Sequence, residues 1–372
     1  MVRHLSPWLL GVLGCSFSVV FACSSPDDGD GTGAGGAATG GSSSGGSGGT
    51  GATGGGNSGG TAGDGTGGDS PSGGITGAGG SGTGGLGSGG GDAGVELPIM
   101  KSDSSYVLKF GNYSFEVDPT QAAIVTSYSY SGTSVLEPVV AADDHNGGSV
   151  FWLAPQDPDW GWPPPTEMNS DPYTVSLVGT TINATGPAFT LNTNSLLIKK
   201  SFSAELGSGA IALVYSVENA GPAVAKHAPW EVTRVARNGI TFWPKGDGDC
   251  GGNEMTPTLT DGVYFWDDTT LGAELTNNKF SCDGSEGWLA HLSGSLLFVK
   301  TWDDVPAANQ HSVDKEIQLY VGDGYEEVEM RGAYQDIASG AALTWNVHWY
   351  LGPAPSDTSP ASLVAAVQAL IQ

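Results

Sequence analysis

Positive charge is what this 372-residue chain has least of: 13 lysines and arginines stand against 39 aspartates and glutamates, for a formal charge of -26. That balance repels polyanions, so nucleic acid and anionic lipid surfaces are excluded as partners of the folded part. Cysteine is scarce as well, four in all, with no Cys-x-x-Cys pair and no zinc-ligand spacing. Beyond residue 98 there is neither a phosphate loop nor a Gly-x-Ser-x-Gly elbow, which removes the nucleotide-binding and hydrolase classes built on them. Long apolar runs are limited to "WLLGVLGCSFSVVFAC" near the N-terminus, too short to be comfortable as a membrane span. With Arg3 ahead of it, the run reads as a signal peptide over 1–22.

Glycine, by contrast, is abundant and unevenly spread. Residues 23–97 hold more than half of the 61 glycines, seven acids and no lysine or arginine. Such a tract cannot bury a core, and about 70 Gly-rich residues span roughly 45–50 Å as a coil, so it is expected to be a disordered tether. Residues 98–372 show no second break and are expected to form one domain. If Cys15 leaves with the leader and Cys23 is modified, Cys250 and Cys282 remain. They form either one disulfide or two buried thiols.

Within that domain "SYVLKFGNYSFEV", "SLLIKKSFSAEL", "AIALVYSVENAG" and "ALTWNVHWYLG" alternate with period two between Gly, Asn and Asp turns. The pattern predicts an all-β fold, a large antiparallel sandwich. One helix is expected, "SPASLVAAVQALIQ", with Ser359 as N-cap, Pro360 in the first turn, and Leu363, Val367, Leu370 and Ile371 on the face that meets a sheet.

Three stretches carry residues suited to chemistry. "WLAPQDPDWGWPPP", from Trp152, is too proline-rich for helix or regular strand and is expected to be a rigid loop. If it runs extended, Trp160 and Trp162 project to one side, with Gln156, Asp157 and Asp159 as polar neighbours. Indole faces with polar neighbours match the C–H faces and hydroxyl rims of a sugar; core packing is the alternative. "KHAPWEVTRV" offers His227, able to exchange a proton at neutral pH or to serve as a structural residue before a proline turn, with Trp230 and with Arg234 as a holder of carboxylate or phosphate. In "EEVEMR", one of Glu326, Glu327 and Glu329 is expected to face a pocket while the others are solvated. A carboxylate among tryptophans would have a raised pKa and serve as a base. "GDGDCGGNE" is rich in oxygen ligands but departs from the EF-hand loop, and it is read as an acidic turn tied down by Cys250, with calcium binding as the alternative.

"VFAC", Val20 to Cys23, resembles the lipobox of bacterial lipoproteins. The resemblance implies lipidation of Cys23 and, with Ser24 following, an outer-membrane destination on its periplasmic or cell-surface side. "NGGSVFWLAPQ", "HAPWEVT" after a strand ending at Asn219, and above all "VEMRGAYQDIASGAALTWNVHWYL" resemble the galactose mutarotase-like superfamily of aldose 1-epimerases. That resemblance implies a β-supersandwich, Glu329 as general base, His227 as general acid and no cofactor or metal. The substrate site is read from the stretches themselves as Trp152, Gln156, Trp160, Trp162, Trp230 and Arg234, with Asp267 added as its aspartate. The family's Asn-Arg segment, second catalytic histidine and substrate-orienting aspartate are not matched.

Three functional classes follow. The favoured one is a lipid-anchored domain binding a sugar or oligosaccharide, the second a cofactor-independent aldose 1-epimerase, and the third a surface module that recognises another protein.

Overall fold

The computed structural model describes residues 94–101, 103–139, 147–270 and 275–372. The leader, Cys23 and all but the last residues of the glycine-rich tract lie outside them. The described residues form a sandwich of a twelve-stranded and a ten-stranded sheet, with antiparallel pairing along both. The expected strands are present: "SLLIKKSFSAE" lies in Asn194–Glu205, and "ALTWNVHWYLG" in Ala342–Pro353. The predicted helix is Pro360–Leu370, with Ser359 at its N-cap position. Leu363 and Val367 are buried in a cluster with Phe242, Trp288, Ala290 and Val299 of the ten-stranded sheet. Cys250 and Cys282 form a disulfide, with Cα atoms 4.1 Å apart, beside the short Gly251–Gly252 strand that edges the other sheet.

Strand alternation determines which side chains meet between the sheets. Phe151, on Ser149–Ala154, stacks at 4.2 Å on Tyr215 of the ten-stranded sheet. Glu231, on Ala225–Ala236, accepts from the Tyr215 hydroxyl at 2.6 Å and from Trp349 Nε1 at 3.1 Å. It also pairs with Lys300 Nζ at 2.9 Å. Odd-numbered residues of these two central strands therefore point into the sandwich over this stretch. Even-numbered neighbours, Trp152, Trp230 and Arg234 among them, point to the opposite, outer face.

A second lysine is buried in this interior. Lys200 Nζ donates to the Ala122 carbonyl at 2.6 Å and lies over the Tyr173 ring, and burial lowers its pKa to about 7 despite the attraction of Glu231. Between that value and the ordinary 10.5 the unfolded chain binds the proton that the folded chain has lost, so this residue makes stability rise with pH across that window. Lys200→Met is expected to flatten the rise. Thermal melts of both proteins from neutral pH to about pH 10 check it.

Candidate functional site

The Ser149–Ala154, Ala225–Ala236 and Tyr325–Arg331 strands lie side by side in the twelve-stranded sheet. Their register sets Trp230 opposite both Trp152 and Arg331, Val232 opposite Glu329, and Arg234 opposite Glu327. Residues paired across strands share a face, so Trp152, Trp230, Arg234, Glu327, Glu329 and Arg331 belong to one patch. Pro229 does not break the strand as the sequence suggested, because its fixed φ is compatible with extended backbone and its carbonyl still accepts Gly332 N–H at 2.9 Å.

"WLAPQDPDWGWPPP" divides into two parts. Trp152 to Ala154 complete a strand, and the loop proper begins at Pro155. The loop is not extended: Trp160 N–H and Gly161 N–H both turn back onto the Gln156 carbonyl, and Gly161 has φ +63°. Glycine suits this left-handed position, which brings both flanking indoles back to Trp152. Trp160 and Trp162 have ring centroids 6.0 and 6.2 Å from Trp152, and Trp160 also lies 6.1 Å from Trp230. Trp152 and Trp230 meet edge to face at 5.2 Å. The Trp160 indole donates to the Leu153 carbonyl at 2.8 Å and is half-buried, whereas Trp162 is 41% exposed. The expectation of an aromatic platform thus becomes a four-tryptophan cluster with one member reaching solvent.

The charged residues of the patch are buried in ion pairs. Arg234 Nε donates to Glu327 at 2.9 Å, and Arg331 Nη2 donates to Glu329 Oε2 at 3.1 Å and to Gln318 at 2.6 Å. The same Glu329 oxygen accepts Trp230 Nε1 at 2.7 Å. Each guanidinium also lies over an indole, Arg331 above Trp230 at 4.3 Å and Arg234 above Trp152 at 5.8 Å. Burial raises the Glu329 pKa, against the opposing pull of Lys279 and Arg331. Glu329 Oε1, Arg234 Nη1 and Arg331 Nε are buried without a hydrogen-bond partner. Unused donors and acceptors at this depth are costly.

His227 is buried at the start of its strand, paired with Gln335, and its Nδ1 lies 3.3 Å from Asp159 in the aromatic loop. Burial lowers its pKa, while Asp159 and the Ala154 backbone oppose that shift. Contacts from Glu329 to His227 run through Trp230, Trp160 and the adjacent Asp159.

Two expectations are corrected. The three glutamates are all buried instead of one: Glu326 faces the interior, where Thr241 meets it, and Glu327 and Glu329 face the patch, where Arg234 and Arg331 compensate their charge. Asp267 is set apart on the ten-stranded sheet, where it accepts from Thr269 N–H at 3.0 Å. Arg331 and Gln318 are members that sequence reasoning did not single out, and Asp159, read only as a polar neighbour of the loop tryptophans, is placed beside His227. Glu329 and Arg331, two apart in a strand, share a face by alternation alone, a signal open to reading.

No family model matches this chain, and no curated protein matches it. Among solved structures it is similar to a TPR-domain containing protein from Parabacteroides distasonis, at 13% identity, 68% of this chain and 48% of that chain, with TM-score 0.48. It thus spans about half the length of that protein. It is also similar to a putative aldose 1-epimerase from Escherichia coli, at 10% identity, 67% of this chain and 99% of that chain, with TM-score 0.46. A galactose mutarotase-like protein from Lactobacillus casei is similar at 10% identity, 70% of this chain and 100% of that chain, with TM-score 0.47.

Proposed function

We propose that the outer face of the twelve-stranded sheet binds a neutral sugar or oligosaccharide, and that the domain is exported and held by lipid at Cys23 to the outer membrane. The observation that carries the binding reading is the set of unpaired buried atoms beside the tryptophans. Glu329 Oε1 accepts, whereas Arg234 Nη1 and Arg331 Nε donate. A hydroxyl both donates and accepts, so a polyol supplies partners for acceptor and donors alike. The two arginines are already balanced by Glu327 and Glu329, so the patch has no surplus charge for an anion. Exposed Trp162 supplies the stacking face.

Epimerisation is the second reading, favoured by the raised pKa of Glu329 beside its unpaired oxygen. In it, Glu329 removes the proton from the anomeric hydroxyl and His227 protonates the ring oxygen, so the ring opens and recloses with C1 inverted. Calorimetric titration with a panel of reducing sugars and oligosaccharides tests binding. Anomer-exchange spectroscopy on any sugar that binds separates turnover from recognition. Absence of heat across the panel would remove both readings.

The two loop tryptophans are expected to differ. Trp162→Ala removes an exposed ring touching Trp152 and should cost about 1 kcal/mol of stability or less while weakening sugar binding. Trp160→Ala removes an indole packed on two others and should cost roughly 2–3 kcal/mol. Thermal melts paired with the titration check both.

A further inference from the structure

Between the sheets, away from the patch, Thr241 Oγ1 lies 2.6 Å from Glu326 Oε1 and 2.8 Å from His291 Nδ1. These contacts join Tyr325–Arg331 of one sheet to Ile240–Pro244 and Trp288–Ser293 of the other. All three residues are essentially inaccessible and lie between the sheets, and the chemistry they share is proton exchange.

A hydroxyl has one proton to give, so Thr241 cannot donate to both neighbours. Two arrangements satisfy both contacts with a neutral imidazole and place no proton on the buried, unpartnered Glu326 Oε2. In the first, ionised Glu326 accepts from Thr241, and His291 carries its proton on Nδ1 and donates it to Thr241 Oγ1. In the second, the Glu326 acid donates to Thr241, Thr241 donates to Nδ1, and His291 carries its proton on Nε2. Conversion of the first to the second adds one proton. It enters at Nε2, the Nδ1 proton passes to Thr241, and the Thr241 proton passes to Glu326, with no other bond changed.

The surroundings favour this pair of states. Burial raises Glu326 to about 8, with Asp268 adding to the rise and the Thr241 hydrogen bond and Arg237 opposing it. Burial holds His291 to about 4, although Asp268 and the Ala236 backbone favour its charged form, so the ring stays neutral while Glu326 titrates. Asp268 is itself gripped by Arg237 through bonds of 2.8 and 2.9 Å, and Glu326 and Asp323 also act on Arg237. The backbone at Gly239 walls the ring, since a Cβ there would stand 2.7 Å from Nε2 and 2.4 Å from Cε1. We propose that Glu326, Thr241 and His291 form a proton switch joining the two sheets, in which protonation of Glu326 selects the His291 tautomer through the Thr241 hydroxyl.

Long-range nitrogen–proton spectra of the intact, 15N-labelled chain between about pH 6 and about pH 9.5 read the tautomer directly, with His291 assigned by its loss in His291→Gln. The expected result is a neutral ring throughout that changes from Nε2–H to Nδ1–H as pH rises. Thr241→Val, which removes the hydroxyl at nearly constant shape, should abolish the change while near-ultraviolet circular dichroism shows the fold retained. Should Thr241→Val fail to fold, Glu326→Gln serves instead: loss of the pH response supports the switch. A wild-type tautomer that stays constant across the range overturns the proposal, as does an unaltered midpoint in either folded variant.

Discussion

Lys300→Met is expected to lower the unfolding free energy by about 3–5 kcal/mol, the cost of leaving a buried carboxylate without its cation. Lys300 Nζ lies 2.9 Å from Glu231 and donates to Thr233 Oγ1 and the Val328 carbonyl, also at 2.9 Å each. Both side chains of the ion pair are essentially inaccessible, so water cannot take the place of the missing ammonium. Tyr215, Trp349 and, at 3.5 Å, Thr233 still donate to Glu231 in the variant, but neutral donors do not replace a charge. The double variant Glu231→Leu/Lys300→Met should recover much of the loss, because a neutral pair of similar bulk has no ionic desolvation cost. Equilibrium denaturation of the four proteins of that cycle measures the coupling. A single-variant loss below about 1 kcal/mol would place Lys300 in a hydrated interior instead of a dry one.

Glu329→Gln should weaken sugar binding about 10- to 100-fold, the range for losing a charge-assisted hydrogen bond in a buried site. The amide keeps the size of the side chain and can still accept Trp230 Nε1, yet it cannot neutralise Arg331 or receive a ligand hydroxyl as strongly. If the domain is also an epimerase, the same substitution removes the base and turnover falls much further than affinity. Calorimetry and anomer exchange on the one variant therefore separate recognition from catalysis. Unchanged affinity for a sugar that wild type binds would place the ligand away from Glu329.

The sequence conveyed the sandwich better than the site. Alternation in "SLLIKKSFSAEL" or "ALTWNVHWYLG" reports strands because one face of each is apolar, a local property. It cannot report burial of the second face. Consecutive acids in "EEVEMR" read as solvated because their partners are remote: Arg234 is 93 residues from Glu327, and Thr241 is 85 residues from Glu326. Asp159 reads as a polar neighbour of the loop tryptophans, and nothing local announces that it will stand beside His227. Trp160 and Trp162 were correctly assigned to a loop, but their orientation depended on the left-handed turn at Gly161, which an extended reading misses. The helix at Pro360–Leu370 was legible end to end, because a capping position, a proline and an apolar face all lie within one short segment.

The central claim, a sugar site on the outer face of the twelve-stranded sheet, is tested most directly by tryptophan fluorescence of the intact chain titrated with monosaccharides and oligosaccharides. Wild type and Trp162→Ala are compared side by side. The expected result is a saturable change with at least one saccharide, shifted to higher concentration in the variant, because the exposed indole of the four-tryptophan cluster meets the ligand. A response to no saccharide from a folded protein, or one identical in the variant, would contradict the claim.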